Sequence, residues 1–302
     1  MDNPVHYVCV DHFYEDYFQQ TIVNKQFVSQ DNSHSRILEF ADGQKWVSKV
    51  IPPKNWTGVK RCRKDIEFTE RIASQVNQHL KATVCAMRWD GSQAVVPYFK
   101  DWHLLYPWVK AVDIQQWQSL HAFELGTLLA LMHTLPLSTE RADVFPKLFA
   151  SWPFPAIIQQ EISRCNQAFL YRRDEFVVSH RDFHAGNIMW RMDNKPILID
   201  WESAGLIHPF VDLIGLALNA AGISELRFNG EYFKSALKGY LATQGTLPAT
   251  DALLWQQCFH SWLLWLNHNY LINHEKEVHH TLNIIRYLQK LMPAMQHLYQ
   301  AI

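Results

Sequence analysis

The 302-residue sequence carries no excess of charge: 28 Lys and Arg stand against 29 Asp and Glu, a formal net charge of -1. That balance gives no global attraction to nucleic acid or to an anionic membrane, and neither is expected as a partner. Cysteine is scarce and scattered. Cys9, Cys62, Cys85, Cys165 and Cys258 never fall in a CxxC or other metal-ligand spacing, which argues against a zinc module and for a reduced, cytoplasmic chain. Long apolar runs are missing as well. Leu125 to Met132 and Trp262 to Leu266 fall well short of the ~20 residues that a membrane-spanning helix needs. The segment Met1 to Phe13, with His6, Asp11 and His12, has no basic stretch followed by an apolar one, so no secretory leader is read there. Glycine is absent before Gly43, and G-x-x-x-x-G-K-[ST] occurs nowhere, which removes a P-loop nucleotide fold. What remains is a chain 48% hydrophobic and 13% aromatic, without repeats and long enough to bury a sizeable core.

Its two halves differ in hydrophobic period. From Phe27 to about Val109, short β-type runs are broken by turn signals: Arg36 to Phe40, Asp42-Gly43, Lys45 to Ile51, Ala94 to Tyr98 and Leu104 to Tyr106. Between them, Lys64 to Leu80 reads as one helix, because Ile66, Thr69, Ala73, Val76 and Leu80 recur at steps of three and four. Beyond Val109 the pattern turns helical, with Asp113 as a candidate cap followed by Gln116. Helices are expected at Leu120 to His133, Phe210 to Ala221, Trp255 to Leu271 and Leu282 to Leu298, the last kinked or ended by Pro293. The order is a small β-rich lobe, a connector around Tyr106 to Ala111, and a larger helical lobe.

The chemistry concentrates in one stretch, His180-Arg-Asp-Phe-His-Ala-Gly-Asn187, followed by Ile188 to Glu202. Ile188 to Arg191 and Pro196 to Ile199 read as two short strands around a turn at Asp193-Asn194-Lys195. Such a hairpin returns Asp200 to the side of Asn187 and gathers Asp182, Asn187 and Asp200 at one end. A free carboxylate beside an Asn/Asp pair of hard oxygen donors suits Mg²⁺ bound together with substrate phosphates.

This stretch resembles the catalytic and metal-binding loops of the aminoglycoside phosphotransferase and choline kinase family, a branch of the protein-kinase-like fold with the pattern H-x-D-x-x-x-x-N and then I-D-[WFY]-E. Leu125-Gly-Thr-Leu-Leu-Ala-Leu-Met-His133 is similar to the family's L-G-x-x-L-A-x-L-H helix, and Pro209-Phe-Val-Asp212-Leu213 to its P-x-x-D-L segment. The resemblance spans about residues 27 to 220. It implies an α+β, bilobal kinase-like fold, with residues 1–107 as the nucleotide-binding lobe and 108–302 as the catalytic and substrate-binding lobe. It further implies that Asp182 positions the acceptor hydroxyl and takes its proton, that Asn187 and Asp200 hold Mg²⁺ on the phosphates of ATP, and that His180 orients the loop. On the strand Lys45 to Ile51, alternation puts Val47, Lys49 and Ile51 on one face, so Val47 is expected against the base and Lys49 at the phosphates. In this fold such a lysine pairs with a helix glutamate. Glu67 and Glu70 are both placed for it, and Glu67 is preferred. Tyr106 and Val109, with Leu105 and Trp108, belong to the connector that would frame the adenine.

The chain departs from the pattern in two places. The loop expected over the phosphates, about Ser29 to Ser35, has no glycine, so an anion-binding concavity would have to come from the amides of Ser33, His34 and Ser35. Arg181 makes the loop read HRD, as in protein kinases, yet the short run from Asp200 to His208-Pro209 leaves no room for a long activation segment, and no A-P-E follows. The expected activity is therefore ATP- and Mg-dependent phosphorylation of a hydroxyl on a small molecule, either a choline- or thiamine-like metabolite or an aminoglycoside-type antibiotic. A catalytically silent nucleotide-binding protein and a protein kinase are the alternatives. Trp262 and Trp265 lie on one helix face and suit either an acceptor wall or plain core packing. The last third offers only scattered acids, which does not favour a polycationic acceptor. His274 and His279 imitate H-E-x-x-H, but a spacing of five turns them about 140° apart on a helix.

Overall fold

The computed structural model describes residues 4–302 apart from 30–31, 98, 100, 113, 115 and 150–152. The expected run Ala94 to Tyr98 and the cap at Asp113 thus fall partly or wholly outside the described residues; Ala94, Val95 and Val96 are not strand, although Val96 N donates to His103 O at 2.8 Å. Helix α1 (Pro4–Phe18), which the sequence reading did not foresee, precedes an antiparallel sheet of β1 (Ile22–Ser29), β2 (Asn32–Phe40), β3 (Lys45–Ile51) and β4 (Trp102–Pro107) in that order, with α2 (Arg63–Leu80) between β3 and β4.

The sheet's two faces follow from its register. Leu38 lies opposite Trp46 and Ser48 opposite Leu105, so these residues share one face with Phe40, and α1 covers it with the fully buried Val10 and Tyr14. Burying two such side chains contributes about 1.5–3 kcal/mol each. Asp11 of α1 is also buried and accepts a two-pronged bond from Arg36 of β2, at 2.8 and 3.2 Å. On the other face, Ser35 lies opposite Lys49, Ile37 opposite Val47, and Val47 opposite Tyr106. Part of this face packs on α2, where Ile51, Ile66 and Leu104 form one cluster, and the rest is left to line a cleft.

The remaining chain is mainly helical: α3 (Ser119–Thr134), α4 (Ala156–Gln167), α5 (Pro209–Ala220), α6 (Gly230–Gln244), α7 (Ala252–Gln257), α8 (His260–Leu271) and α9 (Glu275–Gln300). Two short antiparallel pairs interrupt it, β5 (Val177–Ser179) with β8 (Gly205–Ile207), and β6 (Ile188–Trp190) with β7 (Pro196–Leu198). At its centre α3 and α6 touch backbone to backbone. A Cβ on Gly126 would sit 1.9 Å from Ala236 O, and one on Gly239 would sit 2.0 Å from Phe123 O, so only glycine lets these helices approach.

Two helix expectations need correction. Trp255 to Leu271 is two helices, because the chain turns at Cys258 and Phe259, letting Trp255 pack edge-on against Phe210 and Tyr299 while Trp262 and Trp265 face the cleft. Pro293 does not end α9, since buried residues on both sides of it, Ile284, Ile285 and Leu288 before and Met295 and Tyr299 after, hold the helix to the core. No helix among the described residues is long and apolar enough to cross a membrane.

Candidate active site

The β6–β7 hairpin closes at the expected turn. Arg191 N donates to Lys195 O at 3.0 Å, and Asn194 takes φ +59°, a left-handed conformation that Asn tolerates. At the open end Ile199 N donates to Asn187 O at 3.0 Å, which sets Asp200 beside Asn187. The Asn187 side-chain nitrogen donates to the Asp182 carboxylate at 3.0 Å and to Asp182 O at 3.1 Å. Asp182, Asn187 and Asp200 therefore meet as their spacing suggests. With the amide nitrogen of Asn187 engaged, its carbonyl oxygen and the Asp200 carboxylate remain as two hard donors, a set that fits a Mg²⁺ ion sharing its shell with phosphates. Among the described residues no group of three or more His, Cys, Asp or Glu is arranged to hold a metal alone.

Histidines support this loop. His180 is fully buried, donates from Nε2 to Ile199 O at 2.9 Å and meets Trp201 edge-on at 4.8 Å, so it ties the Asp182 loop to the strand leading to Asp200. Burial lowers its pKa and keeps it neutral. His184 Nε2 lies 3.7 Å from the Asp182 carboxylate, and burial opposes its charge, but that carboxylate outweighs burial and raises its pKa.

Lys49 points from β3 into the same place. It pairs with Asp200 at 2.8 Å and with Glu202 at 2.6 Å, while Arg61 holds the other Glu202 oxygen at 2.6 Å. Burial alone would lower the Lys49 pKa; the two carboxylates more than reverse this, and the Lys49 charge in turn overcomes burial to hold Asp200 below the usual carboxylate range. The expected Lys49–Glu67 pair does not form. Glu67 is spent on the backbone amides of Ala94 and Val95, at 2.9 and 3.0 Å. Glu70, 2% exposed, is the glutamate turned toward the sheet, where it accepts from Tyr106 Oη at 2.6 Å and Ala86 N at 3.1 Å. Burial pushes its pKa up to about 7, against the pull of these donors and of Lys49. The sequence held the signal: Glu70 is four residues after Ile66 and three before Ala73, within the apolar stripe, whereas Glu67 is one step off it. Glu202 and Arg61 were missed; Glu202 stands in the Ile199-Asp200-Trp201-Glu202 run, while nothing local marks Arg61.

A cavity of about 940 Å³ joins these groups. Val47, Lys49, Tyr106 and Val109 line it on one side and Asp182, Asn187 and Asp200 on the other, while Glu67 does not reach it. The expected phosphate loop lies partly outside the described residues, and Ser33, His34 and Ser35 belong to β2 rather than to a loop. Arg181 adopts φ +64° and turns inward. Its guanidinium bonds Ser203 O and both the backbone and the side chain of Asp143, and lies 4.3 Å from the Phe145 ring centre. Gly205 makes room for it, since a Cβ there would meet Arg181 Nη2 at 2.4 Å. In the helical part His133 bridges Asp212 at 3.0 Å and Tyr240 at 2.9 Å.

Residues 29–253 match the phosphotransferase enzyme family. No curated protein matches the sequence. Among solved structures the chain is similar to choline kinase LicA from Streptococcus pneumoniae, at TM-score 0.67 and 12% identity over 94% of this chain and 99% of that one. It is also similar to amicoumacin kinase hAmiN, in complex with AMP-PNP, Ca²⁺ and Ami, at TM-score 0.63 and 14% identity over 86% and 87% of the two chains. A third is spectinomycin phosphotransferase APH(9)-Ia with ADP and its antibiotic, at TM-score 0.62 and 12% identity over 94% and 93%. These likenesses establish the protein-kinase-like fold, with its small sheet-bearing lobe and larger helical lobe.

Proposed function

Because the chain belongs to the phosphotransferase enzyme family, we propose that this small-molecule kinase transfers the terminal phosphoryl group of Mg·ATP to an alcohol in the cleft between lobes 1–107 and 108–302. Nucleotide-bound relatives and free cysteines, which suit a reduced cytoplasm, accord with that reading. Asp182 is the group that orients the acceptor hydroxyl and accepts its proton. Lys49 serves the nucleotide phosphates, and Val47, Tyr106 and Val109 frame the base. Asn187 and Asp200 are the donors for Mg²⁺, which when bound neutralises charge on the phosphates. Little covalent work is required of the protein, because phosphoryl transfer depends mainly on positioning and electrostatic stabilisation.

The supporting observation is that Asp182, Asn187, Asp200 and Lys49, drawn from both lobes, line one cavity. A small acceptor is favoured over a protein because the chain passes from Asp200 through β8 directly into α5, with no activation segment between. The test pairs wild type with Asp182→Asn. Turnover should fall about 10²–10⁴-fold, the range for loss of a general base, while the shift in melting temperature caused by Mg·ATP persists. Equal turnover of the two proteins would remove Asp182 from this role. A wild-type protein that binds Mg·ATP but never releases ADP would leave the silent nucleotide-binding reading.

A further inference from the structure

The acceptor end of the cavity differs from its nucleotide end in what its walls are made of. Trp56, Phe145, Phe169, Phe176, Trp262 and Trp265 line it, contributed by separate stretches of the chain. Trp56 comes from the loop after β3 and crosses to the helical lobe, where its indole N–H donates to Ser203 Oγ at 2.8 Å. Its ring meets Phe145 edge-on at 5.8 Å and Trp265 at 6.0 Å. The carboxylates that face the cavity are already committed or belong to the reaction centre. Asp200 pairs with Lys49, Asp212 with His133, and Asp182 is the proposed base.

Two of these rings have a face already occupied. The Arg181 guanidinium covers Phe145 at 4.3 Å, and Trp265 stacks on His268 at 5.3 Å and 24°. A quaternary ammonium seeks open aromatic faces, and here it would meet a protein cation beside one of them. A polyamine would bring ammonium groups into a wall that, among the described residues, has no uncommitted carboxylate to pair them, at a large desolvation cost. His260, which also lines this end, carries no charge of either sign: burial and the nearby Arg181 push its pKa down to about 4, leaving it a neutral imidazole. An apolar ring system, by contrast, brings no charge to desolvate and packs edge-on against these rings.

We propose that the acceptor is an uncharged alcohol with an apolar, ring-bearing body seated on Trp56, Phe145 and Trp265, and that choline-like cations and polyamine antibiotics are disfavoured. The inference rests on the phosphotransferase reading of the same cleft. Its test uses naphthyl ethanol and phenyl glucoside as uncharged ring-bearing alcohols and choline and kanamycin as cations. Binding is read as a melting-temperature shift in the presence of Mg·ATP, and transfer as ADP release. The uncharged probes should bind more tightly than the cations. Trp265→Ala should weaken them about tenfold, equivalent to about 1.4 kcal/mol, and Trp265→Phe should restore most of the loss. The proposal is overturned if choline or kanamycin binds better, if no uncharged probe binds a protein that does bind Mg·ATP, or if Trp265→Ala leaves their binding unchanged. Uncharged probes that bind through Trp265 without ADP release would uphold the class of ligand that this wall takes and count against the phosphotransfer reading instead.

Discussion

The two ends of the cleft are built on opposite principles. At one, Lys49, Arg61, Asp200 and Glu202 form a network of ion pairs at 2.6–2.8 Å, beside Asn187 and Asp182, which bond each other at 3.0 Å. At the other, aromatic rings meet edge to face and the lining Arg181 and Asp212 are turned into the protein's own pairs. Charge placed close together fixes where phosphates and a metal sit, because its energy falls off with distance and depends on position. An apolar wall selects by shape and by the absence of charge. The first end is thus suited to a constant partner and the second to a particular one.

Substitutions can break this contrast in graded ways. The largest effect is expected beneath both ends, at the α3–α6 contact. Gly126→Ala drives a methyl group into the Ala236 carbonyl, and the helices must separate, costing about 3 kcal/mol or more. Chemical denaturation should register this as a lower midpoint; an unchanged midpoint would mean that the helices have slack. Next comes Glu70, which sits behind the charged end but shares the burial of the apolar one. Its folded-state pKa of about 7 exceeds the ordinary 4.5, so the native state binds the extra proton between these values. Wild-type stability relative to Glu70→Gln should therefore fall as pH rises from about 4.5 to about 7 and stay level above, by about 3 kcal/mol in all. Parallel stability curves for the two proteins would show that this carboxyl is not held in its protonated form. Smaller still is Glu202→Gln, which keeps one acceptor oxygen, sets an amide NH2 where the other stood, and removes the charge shared by Lys49 and Arg61. Losing one charge-assisted bond and weakening the other should cost about 2 kcal/mol of stability. A gain in melting temperature would show that the three-residue network is strained.

The charged end was legible in the sequence because its parts lie in one contiguous stretch. His180 to Asn187 and the hairpin to Asp200 are local structure, and a two-strand turn carries Asp200 back whatever surrounds it. Strand alternation put Lys49 on one face with Val47, and the family resemblance turned that face toward the cleft. Glu67 and Glu70 lie one turn apart, so their spacing does not choose between them, although the Ile66–Ala73 stripe already marks Glu70 as the inward one. Helix α1 escaped notice because its burial depends on a sheet that forms after it in the chain, with Val10 and Tyr14 meaningful only once Leu38 and Leu105 are in place. The aromatic end was not legible for the same reason. Trp56, Phe145 and Trp265 are separated by more than a hundred residues in places, and only tertiary packing joins them. Arg181 read as a kinase-like loop residue; its left-handed backbone and the space over Gly205 turn it into the wall instead.

The claim that one end of the cleft is a metal–phosphate site is tested most directly by titrating ATP, with and without Mg²⁺, into wild type and Asp200→Ala. Tight binding that needs the metal in wild type, and weak binding indifferent to the metal in the variant, is the predicted result. ATP binding of equal strength in both proteins, unaffected by Mg²⁺, would contradict the assignment of Asp200 and with it the account of the site.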